Sequence, residues 1–508
     1  MAVIISDDHP YFQSPAADSL FCHDLPSRPL PGMGKILVTG ASGYIGGRLV
    51  PELLARGYKV KVMVRAYSPG YAELWPDAEI VAADALDLNQ LTIALKDIDA
   101  AYYLIHSLRL GHKEFASADI KAAVNFRIAA ETNNINRIIY LGGLGDTQSK
   151  LSPHLQSRIQ VAEELKKGKV QVTVLRAAII IGSGSASYEI IQHLVKRFPV
   201  ILIPRWAKTK CQPIAIRDVV KYLVGVLETP ATARESFDIG GKDILSYAEM
   251  LNIRADLLNK KRFFLPFFSY LPLYSYIGSL ITPIPAPITR SLMEGLKNEV
   301  VCQNHTIRQY LPFEPLSYKE AIIRAMNREE QDRIHTRWSD AYPPAHVLAL
   351  KLNELENGPR YMNTYFLYTT KEASSLFRCI CRIGGKEGWF SNNWIWRLRG
   401  MVDKILLGVG AARGRKSRTN LRINDVIDYW RVEDLQKDIR LLLRAEMKLP
   451  GKAWMEFKID DDGSKRRLAV IAHYQPQGFL GKVYWYTFLP CHQFLFNDLI
   501  MQIEKRSD

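Results

Sequence analysis

The residues with the clearest chemical use lie at 35–47, KILVTGASGYIGG. There a short apolar run (Ile36, Leu37, Val38) enters a turn punctuated by Gly40, Gly43 and Gly46. A segment with Ile45, Leu49, Leu53 and Leu54 at helical spacing follows. Strand, glycine turn and helix in that order suit a dinucleotide pyrophosphate. Gly40 permits a tight turn, Gly43 lets backbone N–H groups approach the phosphates, and Gly46 lets helix and strand pack closely. The N–H groups and positive dipole end of the helix then face the anion. A second strand, 59–65 (KVKVMVR), ends in Arg65 where an NAD site would carry an acid for the ribose 2′-OH. A guanidinium suits a 2′-phosphate in charge and fork geometry, so the sequence predicts NADP(H) over NAD(H). The strand at 79–83 ends at Asp84, placed to meet an adenine amino group, and the strand at 100–105 reaches His106.

These groups need a sheet to hold them. Helices are expected at 88–96, 114–132 and 157–167. Strands are expected at 137–141, stopping at Gly142 and Gly143, and at 171–176, before a glycine-serine loop at 182–187. Repeated strand–helix–strand units predict an α/β Rossmann-type doubly wound parallel sheet, which binds ligands beyond the carboxyl ends of its strands. Gly40, Arg65, Asp84, His106, Gly142 and the Gly182 loop all fall at those ends.

With 508 residues, 47% apolar and 23% charged, the chain is long enough for two or three cores and too apolar for a disordered protein. Six scattered cysteines lack metal-ligand spacing and form no disulfide framework, so the expectation is no metal and a reducing, cytoplasmic compartment. The net charge is +15, and residues 331–508 hold 29 Lys/Arg against 20 Asp/Glu. These bases are interleaved with acids except at 413–418 (RGRKSR), which reads as a solvated loop and not a nucleic-acid surface. Residues 1–33, with four aspartates and five prolines, read as a flexible extension and not as a targeting segment. From Phe263 to Thr289 no residue is charged, but five prolines oppose a spanning helix. Short helices covering the substrate end of the site are expected there. An aromatic wall of this kind points to a small hydrophobic substrate or to peripheral contact with a membrane surface.

The glycine motif TGASGYIG at 39–46 resembles that of the short-chain dehydrogenase/reductases, extended or atypical branch. AYYLIHSL (101–108), RIIYLGGLG (137–145), LRAAIIIGSGSASYE (175–189) and QPIAIRDVVKYL (212–223) are similar to the bacterial YbjT-like subgroup. The resemblance implies cofactor contacts from Gly40, Ser42, Gly43, Tyr44, Ile45, Gly46, Arg65, Asp84, Leu104 and His106. It also implies a serine after the fifth strand and a Tyr-x-x-x-Lys pair on the next helix. Here the serine position falls in Gly142–Gly143, and the pair reads His154 and Arg158 (HLQSR). Spacing of i, i+4 puts both on one helical face. An imidazole, with an ordinary pKa of about 6.5, can donate a proton. A guanidinium stays charged and can orient ribose or phosphate but cannot relay protons. His106 is a second proton-donor candidate.

Beyond a charged connector the rhythm changes: a strand at 360–370, helices at 372–383 and 394–407, then period-two alternation at 439–448 and 454–459 pairing with 467–474. A long apolar helix at 480–505 closes the chain. The pattern resembles an α+β helix-grip (START-like) domain, which implies an apolar cavity between sheet and helix. Its motifs are similar to those of the domain that follows the reductase in the YbjT-like subgroup. The expected division is thus 1–33 extension, 34–330 dinucleotide-binding domain, 331–358 connector and 359–508 helix-grip-like domain. Two functions follow: an NAD(P)H-dependent oxidoreductase acting on a hydrophobic carbonyl, enone or quinone, or a non-catalytic NADP(H)-binding scaffold or redox sensor. The absent Tyr-x-x-x-Lys pair ranks a sugar-nucleotide epimerase below both.

Overall fold

The computed structural model describes residues 20–65, 70–105, 114–145, 151–267, 286–330, 358–385, 387–406, 408–410, 421–423, 425–461 and 465–507, with residues 284, 352, 355 and 463 between them. The first domain is built on seven strands: β1 (Lys35–Val38), β2 (Val60–Val64), β3 (Glu79–Ala82), β4 (Ile98–Tyr103), β5 (Arg137–Gly143), β6 (Gln171–Ala177) and β7 (Ser236–Ile239). They lie in the order β7-β6-β5-β4-β1-β2-β3, every neighbour parallel. The connections are α1 (Gly46–Ala55), α2 (Leu88–Ala94), α3 (Glu114–Thr132) and α4 (Pro153–Lys166), with α5 (Ala186–Arg197) and α6 (Ile216–Glu228) between β6 and β7. The strand order reverses between β1 and β4, which opens a crevice at their carboxyl ends.

Period-two alternation explains why the strands read as continuous apolar runs. Ile36 and Val38 of β1 face a core shared with Leu49 and Leu53 of α1 and Val219 and Leu223 of α6. Leu37 faces the opposite core, with Ala101, Tyr103, Ala123 and Phe126. Both sheet faces are therefore covered by helices, as a parallel sheet requires.

Part of the expected N-terminal extension is not flexible. Phe21, Cys22 and Leu25 are buried, and Phe21 and Cys22 donate their backbone N–H groups to the Glu52 carboxylate. Asp24 pairs with the buried Lys221, and Ser27 donates to Glu228 at 2.6 Å. The prolines and acids read as a tail, but Asp24 answers Arg217 and Lys221 on α6, and Phe21, Cys22 and Leu25 complete the core. Glu228 is fully buried and also accepts from Arg56 at 2.6 Å and from Tyr58 at 3.1 Å. Removing it strands a half-buried guanidinium and a phenol, so Glu228→Ala is expected to cost about 3 kcal/mol in urea denaturation.

A second correction concerns the uncharged stretch. Phe263–Phe267 is a strand, not a helix, and pairs in parallel with Val200–Pro204. β-Propensity of the aromatic run and the partner strand's exposed edge outweigh the helical expectation. The middle of the stretch, 268–283, lies outside the described residues. It is followed by α8 (Ala286–Gly295), while α7 (Tyr247–Leu257) precedes the strand.

The C-terminal part is an antiparallel six-stranded sheet formed by β8 (Tyr361–Thr369), β9 (Val426–Ile427), β10 (Trp430–Gln436), β11 (Arg440–Ala445), β12 (Gly451–Asp461) and β13 (Arg466–Pro476). Their order is β8-β13-β12-β11-β10-β9. Helices α9 (Ala373–Ile380) and α10 (Asn393–Ile405) lie between β8 and β9, and the chain closes with the 29-residue α11 (Gly478–Arg506). α11 packs on one sheet face. Trp485 stacks between Tyr361 and Tyr474, each centroid 5.5 Å away, and Phe496 meets Tyr365 edge-on. Leu443, Met455, Phe457 and Val470 complete that core. Among the described residues no helix is long and apolar enough to cross a membrane.

Candidate functional site

The crevice at the strand ends opens into a cleft of about 480 Å³. Its floor is the glycine turn. Gly40 has φ +61°, and a Cβ there would lie 2.6 Å from the Leu104 carbonyl. At Gly46 a Cβ would lie 2.5 Å from the Gly40 carbonyl and 2.6 Å from Ala41 Cα. Both positions require glycine, because the obstacles are backbone atoms that cannot rotate away. Thr39 pins this turn to β4: its Oγ1 donates to Tyr102 O at 2.9 Å and accepts from Leu104 N at 3.0 Å. Helix α1 then starts with Ile45 at its N-cap, with no side-chain cap and no acid in the first turn. Its dipole thus meets the cleft without a competing carboxylate.

Most of the residues expected to touch cofactor form the wall: Gly40, Ser42, Gly43, Tyr44, Ile45, Gly46, Arg65 and Leu104. Asp84 does not. Its Oδ1 accepts from Leu86 N at 2.9 Å, and Oδ2 lies 3.9 Å from Arg65 Nε. Asp84 thus closes a short turn at the strand end and pairs loosely with the Arg65 guanidinium. His106 lies outside the described residues.

β5 ends with Leu141, Gly142 and Gly143 in the wall, and α4 brings His154 and Arg158 beside them. Helix α4 begins earlier than expected, at Pro153, because Ser152 caps it by accepting from Leu155 N and Pro153 is preset for the first helical position. His154 is therefore the second residue of the helix, and Arg158 is one turn on, as the i, i+4 spacing requires. Arg158 is held in place: Nη2 donates to Leu141 O at 2.6 Å, and the guanidinium lies over the Tyr140 ring, 5.2 Å from its centroid. A Cβ on Gly143 would lie 3.0 Å from Leu155 Cδ2, so a serine at that place would crowd α4.

The remaining wall includes Ile288 on α8, a helix that begins in the stretch expected to cover the substrate end, and further residues that were not singled out from sequence. Leu155, Ile179, Tyr247, Ile288, Leu292 and Leu296 line an apolar part of the same cleft as His154. The 288/292/296 stripe has i, i+4, i+8 spacing that could have signalled it. Tyr247 opens α7 after a capping box of Ser246 and Glu249. Burial and a hydrogen bond to Cys211 push the Tyr247 phenol well up, so it stays protonated and is no substitute for an activated tyrosine. Arg48 was also missed. It is buried on α1, lies 4.2 Å over the Tyr44 ring, and donates to Tyr44 O and Ser183 O at 3.1 and 2.9 Å. It thus ties the glycine turn to the 182–187 loop.

Among the described lining residues there is no Asp or Glu, while Arg65, His154 and Arg158 are present. A glycine cradle, a helix N-terminus with no acid in its first turn and two arginines in the wall fit a dinucleotide. Fold and cleft together define an NAD(P)-binding Rossmann-like domain. The comparison with known families agrees: residues 40–230 match a family model described as NAD(P)H-binding, and residues 356–499 match a protein of unknown function (DUF2867). Residues 40–230 are thus of an NAD(P)H-binding kind.

Among curated proteins, the chain is 24% identical over 231 residues to the mitochondrial NADH dehydrogenase [ubiquinone] 1 alpha subcomplex subunit 9 of Arabidopsis thaliana (44% of this chain, 58% of that one). It is 21% identical to the photosystem II assembly factor Ycf39 of Trieres chinensis (43% and 67%). It is 24% identical to the chloroplastic divinyl chlorophyllide a 8-vinyl-reductase of Zea mays (42% and 57%). The chain spans 58% and 62% of the length of the first two curated relatives it matches.

Proposed function

We propose that the chain is an NADP(H)-dependent reductase of a hydrophobic carbonyl, enone or quinone. The observation that carries this reading is the continuity of the cleft. The glycine cradle leads past His154 into an apolar chamber walled by Leu155, Ile288, Leu292 and Leu296. Bound in the cradle, a reduced nicotinamide supplies the hydride. The chain's own residues do the rest. Gly40, Gly43 and Gly46 leave room for the pyrophosphate, and the first turn of α1 faces its charge. Arg65 meets the 2′-phosphate. Arg158, fixed by Leu141 O and the Tyr140 ring, adds a positive charge beside the ribose. His154 gives a proton to the substrate atom that becomes electron-rich and regains one from solvent. The apolar chamber orients the acceptor and keeps water away. The C-terminal sheet and α11 are read as a helix-grip domain that binds or delivers the hydrophobic ligand.

The vinyl reductase among the relatives supports a conjugated double bond as one acceptor class. A second reading, a non-catalytic nucleotide-binding subunit, is favoured by the glycines at the serine position and by relatives named as a complex subunit and an assembly factor. Consumption of NADPH with a panel of lipophilic quinones, enones and ketones separates the two. Turnover with any class supports the reductase. A stoichiometric, unconsumed cofactor throughout supports the scaffold.

The cofactor preference has its own test. Arg65→Ala is expected to weaken NADPH binding about tenfold and leave NADH binding nearly unchanged, since one charge-assisted hydrogen bond is worth about 1.5 kcal/mol. Equal loss for both nucleotides would remove Arg65 from 2′-phosphate recognition.

A further inference from the structure

Helix α10 has two faces of unusual character. Inward, Trp396 stacks on Trp389 with centroids 4.3 Å apart, and Gly400 and Asp403 are buried. Outward, Trp394 is 62% exposed and Ile405 54%, with Leu398, Met401 and Val402 between them and Leu406 just beyond. At helical pitch, positions 394, 398, 401, 402 and 405 fall in one arc of roughly 100°. Arg397 is exposed on one edge of this stripe. Arg399 borders the other, its Nη2 donating to Lys448 O at 2.8 Å. The helix's only acid, Asp403, is fully buried and accepts from Gly410 N and Lys448 N at 2.8 and 2.6 Å. The outward face therefore carries no negative charge.

The neighbouring α11 extends this surface. Asn392 donates to Asp498 at 2.8 Å, and Trp396 lies 6.3 Å from Phe496, so the two helices touch. On α11 Leu480, Val483, Phe494 and Met501 are exposed, and no residue between Lys482 and Asp498 is charged. Large apolar side chains exposed along a helix face in this way mark an interaction surface.

We propose that α10, assisted by the outer face of α11, is an in-plane anchor that seats this stripe on an anionic lipid surface. Charge selects the occupant. Helix α10 carries Arg397, Arg399 and Lys404 against its one buried acid, within a chain of net charge +15. An apolar stripe bordered by arginines, with tryptophan on it, matches the boundary between acyl chains and anionic headgroups. A second copy docked on the same stripe would bring like charges together at both edges. The anchor is independent of the cofactor reading.

Flotation of the full chain with vesicles tests it, using phosphatidylcholine alone and phosphatidylcholine mixed with phosphatidylglycerol. The chain is expected to float with the mixed vesicles, less so at high salt, and poorly with phosphatidylcholine alone. Trp394→Glu/Ile405→Glu should lower binding at least tenfold or so by placing charge in the apolar zone. Arg397→Glu should lower it about fivefold per charge removed. Both variants change exposed side chains, and circular dichroism with NADPH binding reports that they fold. Failure of the wild type to float with anionic vesicles overturns the proposal, as does flotation unaffected by the double substitution. So does a lipid-free dimer that the double substitution converts to monomer without any vesicle binding, which assigns the face to a second copy.

Discussion

Gly46→Val is expected to abolish dinucleotide binding while the C-terminal sheet stays folded. The obstacle is backbone: a side chain at 46 meets the Gly40 carbonyl and Ala41 Cα at 2.5–2.6 Å. Either the turn opens or α1 moves away from β1, and both displace the N–H groups that face the phosphates. Overpacking of this kind costs about 1–3 kcal/mol, and each 1.4 kcal/mol lost from binding is roughly tenfold in affinity. With the anion cradle itself displaced, NADPH affinity should fall at least about a hundredfold in a fluorescence titration. Gly57→Ala is the control. That residue, unlike Gly46, has a positive φ, +83°, but nothing lies within 4 Å of its Cβ, and it sits away from the cleft at the end of α1. It should cost stability through backbone strain and leave affinity unchanged. Wild-type affinity in Gly46→Val would mean that the nucleotide does not sit on this turn.

The second large effect belongs to His154. Its side chain lies in the cleft wall on the first turn of a helix that Ser152 caps and Tyr140 braces. If it donates the proton that accompanies hydride transfer, His154→Ala should lower kcat by about 10²–10⁴-fold with little change in the KM for NADPH. Arg158→Ala should do the opposite, raising the KM for NADPH more than it lowers kcat, because that guanidinium offers charge and position and no proton. An unchanged kcat in His154→Ala would exclude the residue from the chemistry.

Much of the first domain was legible because local and global signals agree there. The apolar run, the glycines and the helical spacing at 36–54 each demand the same strand, turn and helix, and the structure has them. The position of Arg65 in the cleft wall was legible for the same reason, since a strand end fixes where a side chain appears. The local setting of Asp84 was not legible, because a short carboxylate after a strand can also close an Asx-type turn, and here it bonds to Leu86 N. The N-terminal strap was missed because its partners, Glu52, Lys221 and Glu228, lie far along the chain, and pairwise burial across such separations leaves no local pattern. The side chains of the apolar chamber were not singled out, although a helix over the substrate end was expected, for a related reason. Ile288, Leu292 and Leu296 carry a plain helical stripe, but only tertiary packing tells which side chains across the cleft they face. The outward stripe of α10 is the converse case: the tryptophans marked a helix, and its exposed apolar face emerged only when Trp396, not Trp394, proved to be the buried one.

The direct test of the account is a calorimetric titration of NADPH into the purified full chain. A cradle of Gly40, Gly43 and Gly46 with Arg65 beside it predicts saturable binding of one cofactor per chain, tighter for NADPH than for NADH. Absence of saturable binding for either nucleotide up to millimolar concentration would contradict it.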